Sequence, residues 1–296
     1  MTDIVILIKT YKKDYKAYTK LIRSISEFNI DDIPVYVAIN DEDYDFFKAE
    51  NQNSSLNLLK DSDIYNCPIK DAWRYQQVIK SKFYLLNVCK NYLCIDSDSE
   101  FITPFRKSDF LFDENTPYTI IHESKSFLEM INNIELDSDT VFFKSALQTT
   151  RKLIGNKHTK IWDYGPSPYL WSCLVWKDFN ENFLSSKNMT FEDFMNQIDL
   201  ETPPSETVIY GEYLLKTNLI PIYPIEGFFK VYHFKKQFSI ERRFHNIEKL
   251  KKVYLGVIFQ SNWDNKSIVI KYLKRKIRKV KLIYSKIKNL FVSDKN

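Results

Sequence analysis

The run Tyr92-Leu93-Cys94-Ile95-Asp96-Ser97-Asp98-Ser99-Glu100-Phe101 decides how this chain is read. Four apolar residues give the signature of a buried strand, and two aspartates separated by one residue close it. Working outward, the preceding residues alternate strand and helix patterns. Ile4–Ile8 is an unbroken apolar run, and Asp14 is placed to cap a helix carrying Tyr15, Tyr18, Leu21, Ile22, Ile25 and Phe28 on one face. Pro34 introduces a second strand at Val35–Ile39. An acidic loop and short helix follow over Asp41–Glu50, and a longer helical pattern runs from about Ile69 to Val88. This β-α-β-α-β order predicts an α/β protein with a mainly parallel sheet and helices on both faces. Such sheets bind ligands at the carboxyl ends of their strands, and the Asp-x-Asp pair stands at one of those ends.

Downstream, Tyr118–Ile121 reads as a further strand, with helices expected near 139–154, 177–186, 190–198 and 205–216. Strand-like pieces return at Leu219–Tyr223, Phe228–Phe234 and Leu255–Phe259. No internal repeat or flexible linker interrupts residues 1–265. They are expected to form one catalytic domain, with a nucleotide-binding half to about residue 105 and an acceptor-binding half after it.

Composition narrows the chemistry. The 296 residues contain only 5 glycines, where roughly 7% is ordinary. Neither G-x-x-x-x-G-K nor G-x-G-x-x-G occurs, so phosphate is not held by a glycine-rich loop. Aromatic residues reach 16%, with 19 Tyr, 22 Phe and 5 Trp. Rings with a polar tip suit sugars and bases as well as a bulky core. Cys67, Cys89, Cys94 and Cys173 lack metal-site spacing and read as free thiols in a reducing compartment. No stretch is long and apolar enough to span a bilayer, and the N-terminal run is too short for a signal peptide. A cytoplasmic protein is expected.

Charge is unevenly spread. The overall balance of 43 basic and 38 acidic side chains is +5. Residues 266–296 hold eleven basic side chains against Asp294, net +10, and the other 265 residues hold 32 basic and 37 acidic, net −5. In this tail Ile270, Leu273, Ile277, Val280, Tyr284, Ile287 and Phe291 recur at spacings of three and four, the pattern of a basic amphipathic helix. An anionic membrane surface is the first expectation for its partner, which would place the protein peripherally on the inner face of the cytoplasmic membrane. Docking on protein or a homodimeric coiled coil is the second, although the flanking cations would repel in a homodimer. Nucleic acid is not expected, because the acidic body offers no basic face to extend the patch.

Two aspartates at a strand end supply hard oxygen ligands where Mn²⁺ or Mg²⁺ and a diphosphate can meet. An ordinary strand-end turn uses the same residues. Taken with Asp3–Tyr11, Trp73–Lys80, Tyr164-Gly165-Pro166-Ser167-Pro168, Ser205-Glu206 and Tyr210-Gly211-Glu212-Tyr213, the quoted run resembles nucleotide-sugar glycosyltransferases of the GT-A fold with a DXD-type motif. Within that superfamily the likeness is greatest to a bacterial group associated with surface-polysaccharide synthesis. It covers about residues 3–235.

The resemblance implies a GT-A fold and a nucleotide-sugar donor, a UDP-sugar first, with a glycan or lipid-linked acceptor. It places Thr10 and Tyr11 in the nucleotide pocket, Asp96 and Asp98 on the metal and the ribose or diphosphate, and Arg74, Gln77 and Lys80 on the donor. It also implies a late histidine ligand, for which His233 is best placed. Lys80 reads equally well as a solvated helix residue. His158 and His245 sit among charges and are expected to be exposed.

Transfer to a hydroxyl needs a carboxylate to take its proton. Glu206, expected in a helix's first turn where the dipole keeps it ionised, is the first candidate, with Asp163 second and Glu212 third. Tyr164, Ser167 and Trp171 are candidates for holding the acceptor. A metal-dependent glycosyltransferase acting on a surface glycan is expected. A sugar nucleotidyltransferase, or a non-catalytic scaffold recruited through the tail, would use the same features.

Overall fold

The computed structural model describes residues 1–52, 54–133, 144–198 and 205–260. Its main sheet contains β1 (Thr2–Thr10), β2 (Val35–Ile39), β3 (Asn57–Lys60), β4 (Cys89–Asp96) and β7 (Tyr169–Ser172), in the order β3-β2-β1-β4-β7. Strands β1 to β4 run parallel, and β7 lies antiparallel on β4. A second sheet has the order β5-β10-β9, from β5 (Ser99–Phe101), β9 (Phe229–Tyr232) and β10 (Gly256–Phe259). Strands β6 (Thr119–Ile120) and β8 (Pro224–Ile225) pair separately.

The helices are α1 (Tyr15–Phe28), α2 (Tyr44–Glu50), α3 (Asp61–Ile64), α4 (Ala72–Lys82), α5 (Lys125–Asn133) and α6 (Lys144–Ile154). They continue with α7 (Cys173–Asp178), α8 (Phe191–Asn196), α9 (Glu206–Thr217), α10 (Lys235–Glu241) and α11 (Ile247–Leu250). The fold is therefore the mixed α/β architecture expected, with a mainly parallel central sheet flanked by helices.

Alternation along β1 shows how the layers form. Ile4, Ile6 and Ile8 join Tyr18, Leu21 and Ile25 of α1 and Phe47 of α2 on one face of the sheet. Val5 and Leu7 join Val78 and Ile79 of α4, with Trp176 and Tyr210, on the other. Side chains of a strand point alternately to opposite faces, so a strand apolar at every position must be covered twice. In α1, burial of Tyr18, Leu21, Ser24 and Ile25 follows the helical period.

Several boundaries differ from expectation. The predicted helix over about 69–88 is shorter, because α4 passes at Phe83 into a tight turn that ends on left-handed Asn87, φ 52°. The edge strand Asn57-Leu58-Leu59-Lys60 offers only two apolar residues and escapes a pattern search. Tyr169–Ser172 becomes a strand through its pairing with β4. Leu219–Tyr223 is not a strand; the pairing falls one residue later, on Pro224–Ile225. Asp14 precedes α1 but makes no capping hydrogen bond. The tail expected over 266–296 lies outside the described residues, as do residues 139–143. Among the described residues, no helix is long and apolar enough to cross a membrane.

Topology fixes where a ligand can bind. From β1 the chain builds outward through β2 and β3, then returns to place β4 on the opposite side of β1. The switch point therefore lies between the carboxyl ends of β1 and β4, where Lys9 and Asp96 face each other in register.

Gly211 in α9 lets the second half of the chain close on this frame. A Cβ there would stand 2.0 Å from Cδ1 of the Tyr164 ring. Replacing Gly211 with Ala is expected to cost about 1–3 kcal/mol through overpacking, read as a lower melting temperature. An unchanged melting temperature would contradict this packing.

Candidate active site

The centre of the site is Lys80, on the inner face of α4. The helix starts on Asp71, whose carboxylate accepts from the Arg74 amide at 3.0 Å. From there Arg74, Gln77 and Lys80 succeed one another at three-residue intervals, all buried against the body. Lys80 is 3% exposed, which overturns its reading as a solvated helix residue. Its ammonium donates to Asp96 Oδ1 at 2.7 Å and to Glu206 Oε1 at 3.3 Å. The Tyr169 ring centroid lies 5.7 Å from the same nitrogen.

Burial alone would lower the Lys80 pKa, but the carboxylates of Asp96 and Glu206 outweigh it and hold the ammonium well above its ordinary value. For Glu206, burial raises the pKa, Lys80 pulls it back, and the like charge of Asp96 adds to the rise. Glu206 does open α9, as expected. The helix dipole does not govern it, however, because burial outweighs a terminal partial charge.

The Asp-x-Asp turn is tied on several sides. The Asp96 amide donates to Ser167 Oγ at 3.2 Å, and Ser97 Oγ donates to Asp14 Oδ2 at 3.1 Å. Asp14 thus holds the turn in place of capping a helix. Burial raises its pKa against hydrogen bonds from Ser97 and Tyr11. The Asp96 side chain remains 35% exposed. Asp98 is half-buried two residues on, where its carbonyl accepts from the Phe259 amide at 3.4 Å.

Beside Asp96, the end of β1 carries a second buried cation. Lys9 pairs with Asp61 Oδ2 at 3.0 Å and donates to Asn40 Oδ1 at 2.7 Å. Burial lowers the Lys9 pKa and raises that of Asp61, and each charge opposes the other's shift. Thr10 is buried, and Tyr11 is exposed at the rim. Along the same carboxyl edge, Asp41, Ser62, Tyr65, Asn66, Cys67, Pro68 and Tyr75 line a cleft of about 250 Å³.

The structure therefore brings together Lys80, Asp96, Glu206 and Ser167, with Thr10 on the adjoining strand. Arg74 donates to Asn196 Oδ1 at 2.8 Å. The Gln77 amide is buried, and neither of its atoms is hydrogen-bonded among the described residues.

Other expectations are corrected. Trp171 is 2% exposed, stacked on Tyr169 and edge-on to Trp176 within the core, so it offers no face to an acceptor. Tyr164 is buried, and its hydroxyl donates to Glu212 Oε1 at 2.9 Å. Glu212 itself is fully buried and also held by Arg151, Asn156 and His158, a structural network that leaves no free lone pair for base chemistry. His158 is accordingly a partner of Glu212 and not a solvated histidine.

Asp163 sits in a loop network. It accepts from the Gly165 amide at 3.0 Å and from the Ser124 hydroxyl, and it bridges backbone-to-backbone with His122. His233 follows β9 and stands across β10 from Asp98, its ring 4.3 Å from that of Phe127. Burial pushes its pKa down to about 4. Among the described residues, no three His, Cys, Asp or Glu side chains gather as a metal cluster, so His233 does not complete a triad with the two aspartates.

Sequence reasoning missed Lys9, Asn40 and Asp61, because Asp61 follows an edge strand that has no clear pattern. It missed the Asp14–Ser97 bond because both residues have conventional local roles. The resemblance marks Lys80 as a donor-binding residue, but its pairing with Asp96 and Glu206 was not foreseen.

Replacing Lys80 with Met leaves Asp96 and Glu206 facing each other without a shared cation. At neutral pH this is expected to cost about 3–5 kcal/mol, because an uncompensated buried charge remains. A carboxylate whose pKa is raised on folding binds its proton more tightly in the native state, so acidification favours the variant's fold. The melting-temperature gap to wild type should therefore narrow as pH falls from about 8 to about 5. A gap independent of pH would contradict the arrangement.

No family model matches the chain, and no curated protein does. Among solved structures, mouse xyloside xylosyltransferase 1 in its apo form aligns over 88% of this chain and 98% of its own, at 8% identity and a TM-score of 0.48. A likeness this distant assigns no activity, and the site is read from its own residues.

Proposed function

We propose that the protein is a glycosyltransferase that moves a sugar from a nucleotide-sugar donor to a glycan hydroxyl. The carrying observation is Asp96, still partly open to solvent at the β1/β4 switch point while Lys80 joins it to buried Glu206. The cleft lined by Asp41, Tyr65 and Tyr75 lies on the same strand edge and would take the nucleoside. Its diphosphate would then extend toward Asp96. Gln77 supports this reading, since a buried amide with no partner among the described residues is costly unless something fills its hydrogen bonds.

The donor set suits a divalent cation brought in with the donor. Mg²⁺ and Mn²⁺ commonly take one or two carboxylates together with phosphate oxygens and water, and Asp96 and Asp98 offer such a pair. When bound, the ion supplies charge neutralisation at the departing diphosphate. Lys80 contributes a fixed positive charge on the same side and holds the Asp96 carboxylate in place. Arg74 and Gln77 line the helix that leads to it.

Glu206 is the carboxylate assigned to the acceptor's proton. Among the described residues its carboxylate is held by Lys80 and its own amide, whereas Glu212 is engaged by Arg151, Asn156, His158 and Tyr164, and Asp163 by Ser124 and Gly165. Its raised pKa makes it a stronger base than an ordinary glutamate, although Lys80 must remain near enough to stabilise the anion. Ser167, itself buried, accepts from the Asp96 amide and so orients the turn, while Tyr11 is exposed at the rim. A surface glycan, capsular or lipid-linked, is the acceptor class in this reading.

A panel of nucleotide sugars with Mn²⁺ tests the proposal by thermal stabilisation and donor turnover. At least one donor should stabilise wild type, and Asp98→Ala should abolish that response. Glu206→Gln should keep donor binding and lose about 10²–10⁴-fold in turnover. A stabilisation that Asp98→Ala leaves unchanged would exclude the metal assignment, and full turnover in Glu206→Gln would exclude the base.

A further inference from the structure

One connection breaks the charge pattern of the acidic body. Between β9 and β10 the chain leaves the sheet for α10, α11 and the turns around them. Residues 235–252 carry seven lysines and arginines against Glu241 and Glu248, net +5, while the rest of residues 1–265 nets −10. Both acids are already paired, Glu241 with Lys230 at 2.5 Å and Glu248 with Lys251 at 2.9 Å. Gln237 and Leu250 anchor the segment inward, and every residue from 242 to 249 is exposed.

Among these cations stand four exposed apolar side chains: Ile240, Phe244, Ile247 and Val253, with Phe244 65% exposed. Ile240 and Phe244 are one helical turn apart, in a stretch where the Phe244 and His245 amides still donate to the Glu241 carbonyl. A basic surface that also exposes large apolar side chains fits a partner with an anionic face and an apolar interior.

We propose that the α10–α11 connection docks on an anionic phospholipid bilayer. The cations meet headgroup phosphates, and Phe244 with its apolar neighbours enters the boundary of the acyl chains. Charge selects this occupant. A second copy docking through the same face would present the same positive surface, and residues 266–296, net +10, carry the same sign. Nucleic acid would satisfy the cations and leave the apolar side chains in water.

The segment is anchored to the second sheet. The segment departs from the end of β9, where Gln260 N donates to the Tyr232 carbonyl at 3.3 Å and Phe259 N to that of Asp98 at 3.4 Å. The inference stands apart from the transfer reading and concerns the surface alone.

The test uses the full-length protein in co-sedimentation with vesicles of phosphatidylcholine, alone or mixed with phosphatidylglycerol. Wild type should partition onto the mixed vesicles. Arg242→Glu/Arg243→Glu should lower the partition coefficient by about tenfold or more, and Phe244→Ser should lower it without any change of charge. Lys16→Glu/Lys20→Glu, an equal charge change on the exposed side of α1, should leave it within about twofold. All these positions are exposed, and circular dichroism confirms folding. Equal losses in the two charge variants, unchanged partition in Arg242→Glu/Arg243→Glu, or preferential capture of a duplex oligonucleotide would each overturn the proposal.

Discussion

The site depends on one buried ammonium. Lys80 reaches Asp96 from the sheet and Glu206 from α9, so a single cation joins the strand-end turn to the first residue of a helix more than a hundred positions later. Two carboxylates could not be brought this close in a poorly hydrated crevice without it. The same constraint explains the depth of α4, which turns Arg74, Gln77 and Lys80 inward where an ordinary amphipathic helix would bury apolar residues.

A similar device recurs along the molecule. Lys9 and Asp61 join β1 to the end of β3, and Arg151 joins α6 to Glu212 in α9. Such pairs are poor sources of net stability, since desolvation consumes most of their attraction. They do fix geometry strongly, because breaking one leaves a charge stranded. The chain has few glycines, and in the proposed reading these fixed charges take the place of the backbone cradle by which other α/β proteins hold phosphate.

The sheet was legible because its central strands are apolar at nearly every position, and because the helix period between them is clean. The Asp-x-Asp turn was legible because two acids at the end of such a strand have few other places to be. What escaped depended on distance in sequence. Nothing in Asn57–Lys60 marks an edge strand, and nothing in the α4 sequence shows that Lys80 faces inward while Lys82 is less buried. The aromatic residues misled in a consistent way: Tyr164 and Trp171 carry the chemistry of sugar platforms but serve as packing, Tyr164 against Gly211 and Trp171 between Tyr169 and Trp176. Charge averages misled similarly, since the acidic body conceals the basic α10–α11 connection.

The central claim is that the diphosphate of the donor meets its cation at the Asp96–Asp98 turn beside Lys80. Anomalous diffraction at the manganese edge, from crystals grown with Mn²⁺ and a nucleoside diphosphate, tests it most directly. The account predicts a single manganese peak in coordination contact with the Asp-x-Asp carboxylates and the diphosphate, with the nucleoside in the cleft beside Asp41 and Tyr75. A nucleotide bound elsewhere, or manganese on ligands other than these aspartates, would contradict it.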